Sequence, residues 1–342
     1  MRILFTTFLF TIFTGTCFSQ TDSAAVYLQK GMAEKAKGRV MESFKALDKA
    51  YSYNKGDKQI VQELADVLVA LRRYPQARDK YLELEKLGAP SATTYKQLMD
   101  ISFNMRQYPD AVKYAKALKK ADPSQKVAYY MGKAAYEQES YGDAITYLNE
   151  AAGEDPQNAE IPYYIARSYA DMLNYKAAAP AFQKAIALKP TESRWIYEMA
   201  LMYYGMHDDN AALKYMLEAA EKGYKRDNEY LENLGIAYIN AGETDKGLET
   251  LKEVLQRRPS DPNILGMIAE ACYDAKKWDD AIGYWDQLLA LDKENATALY
   301  MIGMSYQQKG DKAKGQSLCD RAIAMDPSLA KNKQKKQMPG DF

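Results

Sequence analysis

The sequence predicts an all-α array of about nine helix-turn-helix repeats, and three observations carry that expectation. Small residues recur at Ser43, Ala77, Ala111, Ala144, Ala178, Ala212, Gly247, Ala281 and Gly315, spaced by 34, 34, 33, 34, 34, 35, 34 and 34. A second small series lies 12 residues upstream at Gly31, Ala65, Gly132, Ala166, Ala200, Gly235, Ala269 and Gly303, with Met99 as its exception. A third lies seven residues downstream at Ala50, Ala151, Ala185, Ala219 and Ala322. A fixed period of this size is the signature of a stacked helical array.

The elements follow in order. The first helix of each repeat carries the upstream small residue, and the second starts at an aromatic ring, Tyr74, Tyr108, Tyr141, Tyr175 or Trp278, three before the next small residue. Small residues at both positions let the paired helices approach closely, and the apolar stripe left over is buried against neighbouring repeats. Tyr169, Tyr203, Tyr238 and Tyr306 are read as core residues of first helices. Because no repeat buries its own apolar face, stability is a sum of repeat and neighbour terms, with polar caps at the ends.

Period and positions together resemble the tetratricopeptide repeat (TPR) family, whose unit carries small residues at positions 8, 20 and 27 and often proline at 32. Pro123, Pro156, Pro190, Pro259 and Pro327 occupy position 32, whereas Lys55, Ala89, Tyr224 and Lys293 depart from it. The resemblance covers residues 24–329, with repeats at about 24–57, 58–91, 92–124, 125–158, 159–192, 193–227, 228–261, 262–295 and 296–329. It implies a right-handed superhelical TPR solenoid that acts as an interaction scaffold.

The resemblance also implies that positions 2, 5, 9 and 12 of the first helices line a concave groove. On that mapping the fourth to sixth repeats stand out, with Tyr129, Lys133, Tyr136, Tyr163, Arg167, Tyr197 and Tyr204 lining the groove and Lys126 and Arg194 at its edge. Tyrosine and arginine are enriched at interface hot spots. The expectation is that this band clasps an extended or helical segment of another protein, with Lys133 and Arg167 meeting a carboxylate. Position 9 contains no asparagine, so a clamp for a terminal carboxylate is not implied. The alternative is an envelope polysaccharide or peptidoglycan strand stacked on the rings, with Glu160 and Asp171 nearby.

Catalytic constellations are not evident, and the chain is expected not to be an enzyme. His207 is the single histidine and falls in the turn "GMHDDN". One histidine gives no HExxH site and a poor general base, and no phosphate-binding glycine loop occurs. Neither a cofactor nor a metal is expected. The adjacent acids of "HDDN" and "KWDDA" suit helix N-termini. Cys272 and Cys319 lie on helices that are not neighbours in such a stack, so no disulfide is expected between them. The "NAT" at Asn295 is a glycosylation acceptor only in a eukaryotic secretory pathway.

Lys plus Arg and Asp plus Glu both number 46, so no global field favours nucleic acid or an anionic membrane. The N-terminus "MRILFTTFLFTIFTGTCFSQTDS" has the plan of a secretory signal peptide over residues 1–19, with Cys17 and Ser19 before the cut and Gln20 first in the mature chain. Its apolar run is shorter than the roughly 20 residues that a bilayer span needs. Export to the periplasm or beyond is therefore expected, with no transmembrane helix after cleavage. Lipoprotein acylation at Cys17 fits less well, since Thr14-Gly15-Thr16 lacks the usual leucine. Residues 330–342 form a basic tail with Lys331, Lys333, Lys335 and Lys336, read as a solvated cap.

Overall fold

The computed structural model describes residues 16–330. The apolar part of the expected signal peptide and the lysines of the expected basic tail lie outside the described residues. Those residues contain 18 α-helices and no strand, and the chain divides into two compact units, Met1–Met172 and Leu173–Phe342. Among the described residues no helix is long and apolar enough to cross a membrane.

The first unit contains α1 (Thr16–Ala36), α2 (Val40–Tyr53), α3 (Lys58–Ala70), α4 (Tyr74–Lys86), α5 (Ala92–Asn104), α6 (Tyr108–Ala121), α7 (Ala128–Glu137), α8 (Tyr141–Glu154) and α9 (Glu160–Asp171). The second contains α10 (Tyr175–Leu188), α11 (Ser193–Gly205), α12 (Asp209–Glu221), α13 (Asn228–Asn240), α14 (Thr244–Arg257), α15 (Pro262–Asp274), α16 (Trp278–Leu291), α17 (Ala296–Lys309) and α18 (Lys312–Met325), followed by a short 3-10 turn at Pro327–Leu329. Within each unit, successive helices form antiparallel hairpins that stack side by side. Tyr74, Tyr108, Tyr141, Tyr175 and Trp278 are each the first residue of a second helix.

The close approach inside a hairpin is set by pairs 16 residues apart. A Cβ on Gly132 would lie 2.6 Å from Leu148 Cγ, and one on Gly235 would lie 2.7 Å from Leu251 Cγ. The same pairing joins Gly31 to Leu47 and Gly303 to Cys319. Where the first member is alanine, the second is a ring or a flexible chain: Ala65 with Tyr81, Ala200 with Met216, Ala269 with Trp285, all buried. Met99 reverses the sizes and faces this register with Ala115, both again buried. The exception in the small series is thus a swap of volume across the same contact, as close packing demands.

Every first helix ends in one kind of turn. Gly38, Gly242 and Gly310 are left-handed there, with φ of 73°, 83° and 101°, and so are six other residues, Arg72, Arg106, Glu139, Leu173, His207 and Lys276, with φ of 57–60°. The backbone nitrogen that follows closes a 6→1 bond, as from Arg73 to the Leu68 carbonyl at 2.9 Å and from Asp208 to the Tyr203 carbonyl at 3.1 Å. Second helices end differently. Asn54, Asp122, Asp292 and Asp326 are extended C-caps. The helices α4 and α12, which lack proline at position 32, close instead on left-handed Gly88 and Gly223. His207 therefore sits in a turn, exposed, and the following Asp208 caps α12 by accepting from the Ala211 nitrogen. Asp279 and Asp280 lie in the first turn of α16, where Lys277 is the N-cap.

Fully buried Tyr81 and Tyr114 anchor the core of the first unit, and Tyr230 that of the second. Tyr230 donates to the Met216 carbonyl at 3.0 Å, and burial pushes its hydroxyl up to about 12. Tyr169, Tyr203, Tyr238 and Tyr306 are only half-buried, and Tyr238 and Tyr306 pack against the core of the second unit. Cys272 and Cys319 are both free and buried.

Candidate functional site

In the first unit, the faces of α5, α7 and α9 carry an aromatic ladder made of two like quartets. In one, Tyr108 meets Phe103 at 5.7 Å between ring centroids, Phe103 meets Tyr130 at 5.8 Å, and Tyr130 meets Tyr129 at 5.7 Å. In the other, 33 or 34 residues on, Tyr141 meets Tyr136 at 5.8 Å, Tyr136 meets Tyr164 at 5.3 Å, and Tyr164 meets Tyr163 at 5.3 Å. The interplanar angles run from 50° to 88°, so edges meet faces, the arrangement that the ring quadrupoles favour. Each quartet draws a ring from the end of a first helix, the start of its second helix and two neighbouring positions on the next first helix. The helical repeat therefore reproduces it.

Lys133 ties the quartets together. Its ammonium lies 5.8 Å from the Phe103 and Tyr129 centroids and 5.0 Å from that of Tyr164, and 3.6 Å from the Glu160 carboxylate. Burial works against its charge, but the Tyr164 hydroxyl and Glu160 outweigh it and hold its pKa above the ordinary lysine value. Arg167 lies over the Tyr136 ring at 5.7 Å, donates to the Tyr163 hydroxyl at 3.2 Å and faces Asp171 at 3.8 Å. Hydroxyls on the ladder also point to carboxylates: Tyr129 to Glu160, Tyr136 to Asp171 at 2.7 Å, and Tyr108 to Glu137 at 3.3 Å. Burial, then the acceptor's charge, drives the Tyr129 and Tyr136 pKa values far up. These tyrosines stay neutral donors with fixed rings.

Five of the expected groove residues, Tyr129, Lys133, Tyr136, Tyr163 and Arg167, thus share one network in the first unit. Two of their expected roles change. Lys133 and Arg167 meet the chain's own Glu160 and Asp171, which are close enough to compensate them, rather than standing ready for a partner's carboxylate. Tyr163 is only 7% exposed, so its ring supports the ladder from beneath. The other two residues belong to the second unit. Tyr197 is buried, stacked on Tyr224 at 4.3 Å, and accepts from Asn233 at 2.7 Å; Tyr204 is 41% exposed on α11 together with Leu201 at 36%. Tyr130 and Tyr164 escaped the sequence reading because the groove mapping assigned position 5 and passed over position 6. The doublets at 129–130 and 163–164 were the available signal.

Among the described residues, no group of three or more His, Cys, Asp or Glu side chains could hold a metal ion.

Comparison with known proteins agrees with the helical-repeat class. The model for anaphase-promoting complex, cyclosome, subunit 3 matches residues 104–185, and the tetratricopeptide repeat model matches 197–262 and 267–330. TPR repeat-containing protein MJ1428 of Methanocaldococcus jannaschii is 28% identical over 158 residues, which is 45% of this chain and 27% of that relative. The match thus spans about a quarter of the relative's length. Among solved structures, YrrB, described as a TPR protein with an unusual peptide-binding site, is 17% identical with a TM-score of 0.46, covering 56% of this chain and 98% of YrrB. PilW, a type IV pilus biogenesis factor, is 18% identical with a TM-score of 0.42, covering 60% of this chain and 94% of PilW. Residues 197–262 and 267–330 are thus similar to tetratricopeptide repeats.

Proposed function

We propose that this chain is a non-catalytic scaffold of the cell envelope that binds a segment of another protein on the face of α5, α7 and α9. The aromatic ladder carries this reading. All of its rings but that of Tyr163 are half-buried, fixed by edge contacts and hydroxyl bonds, and so offer a large amphipathic surface that loses little entropy on binding. No arrangement of nucleophile, base and orienting group accompanies it. Export rests on the N-terminal sequence, and N-terminal sequencing of the protein from envelope fractions should find Gln20 first.

A second reading, an envelope polysaccharide or peptidoglycan strand, draws support from the pairing of rings with Glu160 and Asp171. It ranks below the first because the Tyr129 and Tyr136 hydroxyls already engage those carboxylates. Affinity capture from an envelope fraction tests both, using wild type, Tyr136→Ser/Tyr164→Ser, and Lys252→Glu on α14 of the second unit as a control. The first reading expects a protein retained by wild type and the control and lost from the ladder variant, with circular dichroism showing that the variant folds. Equal retention of every protein by all three would end it. Loss of sacculus binding alone would favour the second.

A further inference from the structure

Two successive hairpins of the second unit differ at one packing place. Tyr215 on α12 stacks on Tyr203 of α11, with ring centroids 5.3 Å apart and planes inclined by 14°. One repeat on, the same two places hold Tyr238 on α13 and Thr250 on α14. Among the described residues no ring stacks on Tyr238. A hollow of about 650 Å³, open to solvent, is lined by both residues, by the longer side chains of α14, and by Arg226 from the connection between α12 and α13. Its volume is that of a small-molecule site.

Lys246 lines the hollow at the other end of this contact. Its ammonium lies 5.6 Å from the Tyr238 centroid and 2.5 Å from the Glu243 carboxylate. In the last repeat the equivalent lysine closes further, with Lys314 3.7 Å from the Tyr306 centroid. Lys246 thus covers its ring less closely, and the short Thr250 side chain, one helical turn on, leaves room where the preceding repeat has a ring.

The lining carries three cations, Arg226, Lys246 and Lys252, against two carboxylates, Glu249 and Glu253, so the local field favours an anion. Most of these charges have company. Glu253 lies 2.5 Å from Arg257, and Lys252 faces the Tyr284 ring at 6.0 Å. Arg226 is exposed and forms no ion pair among the described residues. Its neighbour Asp227 accepts from the Tyr230 nitrogen at 3.1 Å and lies 3.8 Å from Lys225.

We propose that this hollow binds a small aromatic acid, with its ring beside Thr250 against Tyr238, as Tyr215 lies on Tyr203, and its acid group on the Arg226 guanidinium. Stacked rings attract beyond the area they bury, and a guanidinium meets a carboxylate through two parallel N–H donors. The site belongs to the second unit and does not depend on what the ladder binds.

The test titrates the full chain, methyl-labelled at threonine, with phenylacetate and follows the Thr250 methyl resonance by NMR, assigned through Thr250→Ser. A saturable ring-current shift is expected. Phenylacetamide, which lacks the charge, should bind wild type about tenfold or more weakly, and phenylacetate should bind Arg226→Gln more weakly by a similar factor. Cyclohexylacetate, which keeps the acid without the aromatic ring, should give no shift of comparable size. Thr250→Tyr restores the ring of the preceding repeat, and saturation transfer to phenylacetate should be lost in it while circular dichroism stays that of wild type. Absence of a saturable shift in wild type, equal affinity for phenylacetamide, or undiminished binding by Arg226→Gln or by folded Thr250→Tyr overturns the proposal.

Discussion

The size pairing inside each hairpin gives one substitution opposite signs at two glycines. Placing alanine at Gly132 puts a Cβ 2.6 Å and 2.9 Å from the Leu148 side chain and 3.1 Å from the Leu148 backbone nitrogen. The backbone atom cannot yield without moving α8, so the strain falls in the upper half of the roughly 1–3 kcal/mol typical of overpacking. Alanine also gains about 0.8–1.0 kcal/mol over glycine in helix propensity. Gly132→Ala should therefore lose about 1–2 kcal/mol net. At Gly266 the same Cβ would meet only Leu288 Cδ1 at 3.9 Å, so Gly266→Ala should gain about 0.8–1.0 kcal/mol from propensity alone. Urea unfolding followed by circular dichroism reads both. The sixth repeat, where Ala200 lies in register with Met216, supplies a partial rescue: Leu148→Met should relieve the side-chain contacts and leave the backbone one, recovering part of the loss in Gly132→Ala with a coupling of about 0.5–1 kcal/mol. Midpoint shifts of the same sign at both glycines, or zero coupling, would refute the pairing.

Further consequences are as direct. His207→Gly should be neutral to stabilising by up to about 1 kcal/mol, since relief of left-handed strain of about 1–2 kcal/mol outweighs the backbone entropy glycine adds to the unfolded chain; a clear fall in the thermal midpoint would contradict this. For Asp100 the folded pKa lies above 3.8, so both states are protonated well below 3.8, and stability is lost as pH rises through the folded value. Asp100→Asn should accordingly raise the urea midpoint at neutral pH and leave it unchanged in strong acid; the reverse pattern would show that the carboxylate is held by a partner. Tyr230 stays protonated in the fold up to about 12 against 10.0 for a free tyrosine, and this stability, complete below 10.0, is lost between the two values. Tyr230→Phe should cost about 1 kcal/mol at neutral pH and flatten the alkaline fall seen in wild type.

The architecture was legible because it depends on period. One small residue every 34 or so, an aromatic at five of the second-helix starts and proline near many repeat ends are properties of a single unit, repeated. Even the irregular Met99 is readable once Ala115 is set beside it. The candidate site was legible only in part, because it depends on where side chains end. Helical spacing placed Tyr129, Lys133 and Tyr136 on one face, but spacing does not say that Glu160, from the next first helix, reaches Lys133. Nor does it say that Tyr163 turns under its neighbour while Tyr164 faces Tyr136. The left-handed arginines, glutamate, leucine, histidine and lysine at the turns were invisible for another reason. Their conformation is imposed by the hairpin against their own preference.

The central claim is that the ladder on α5, α7 and α9 is where another protein binds. Hydrogen exchange of the full chain, with and without the protein that the capture experiment retains, tests it most directly. The account predicts slowed exchange concentrated in residues 92–104, 128–137 and 160–171, abolished by Tyr136→Ser/Tyr164→Ser. Protection confined to α14, α16 or α18, with those three segments unchanged, would contradict it.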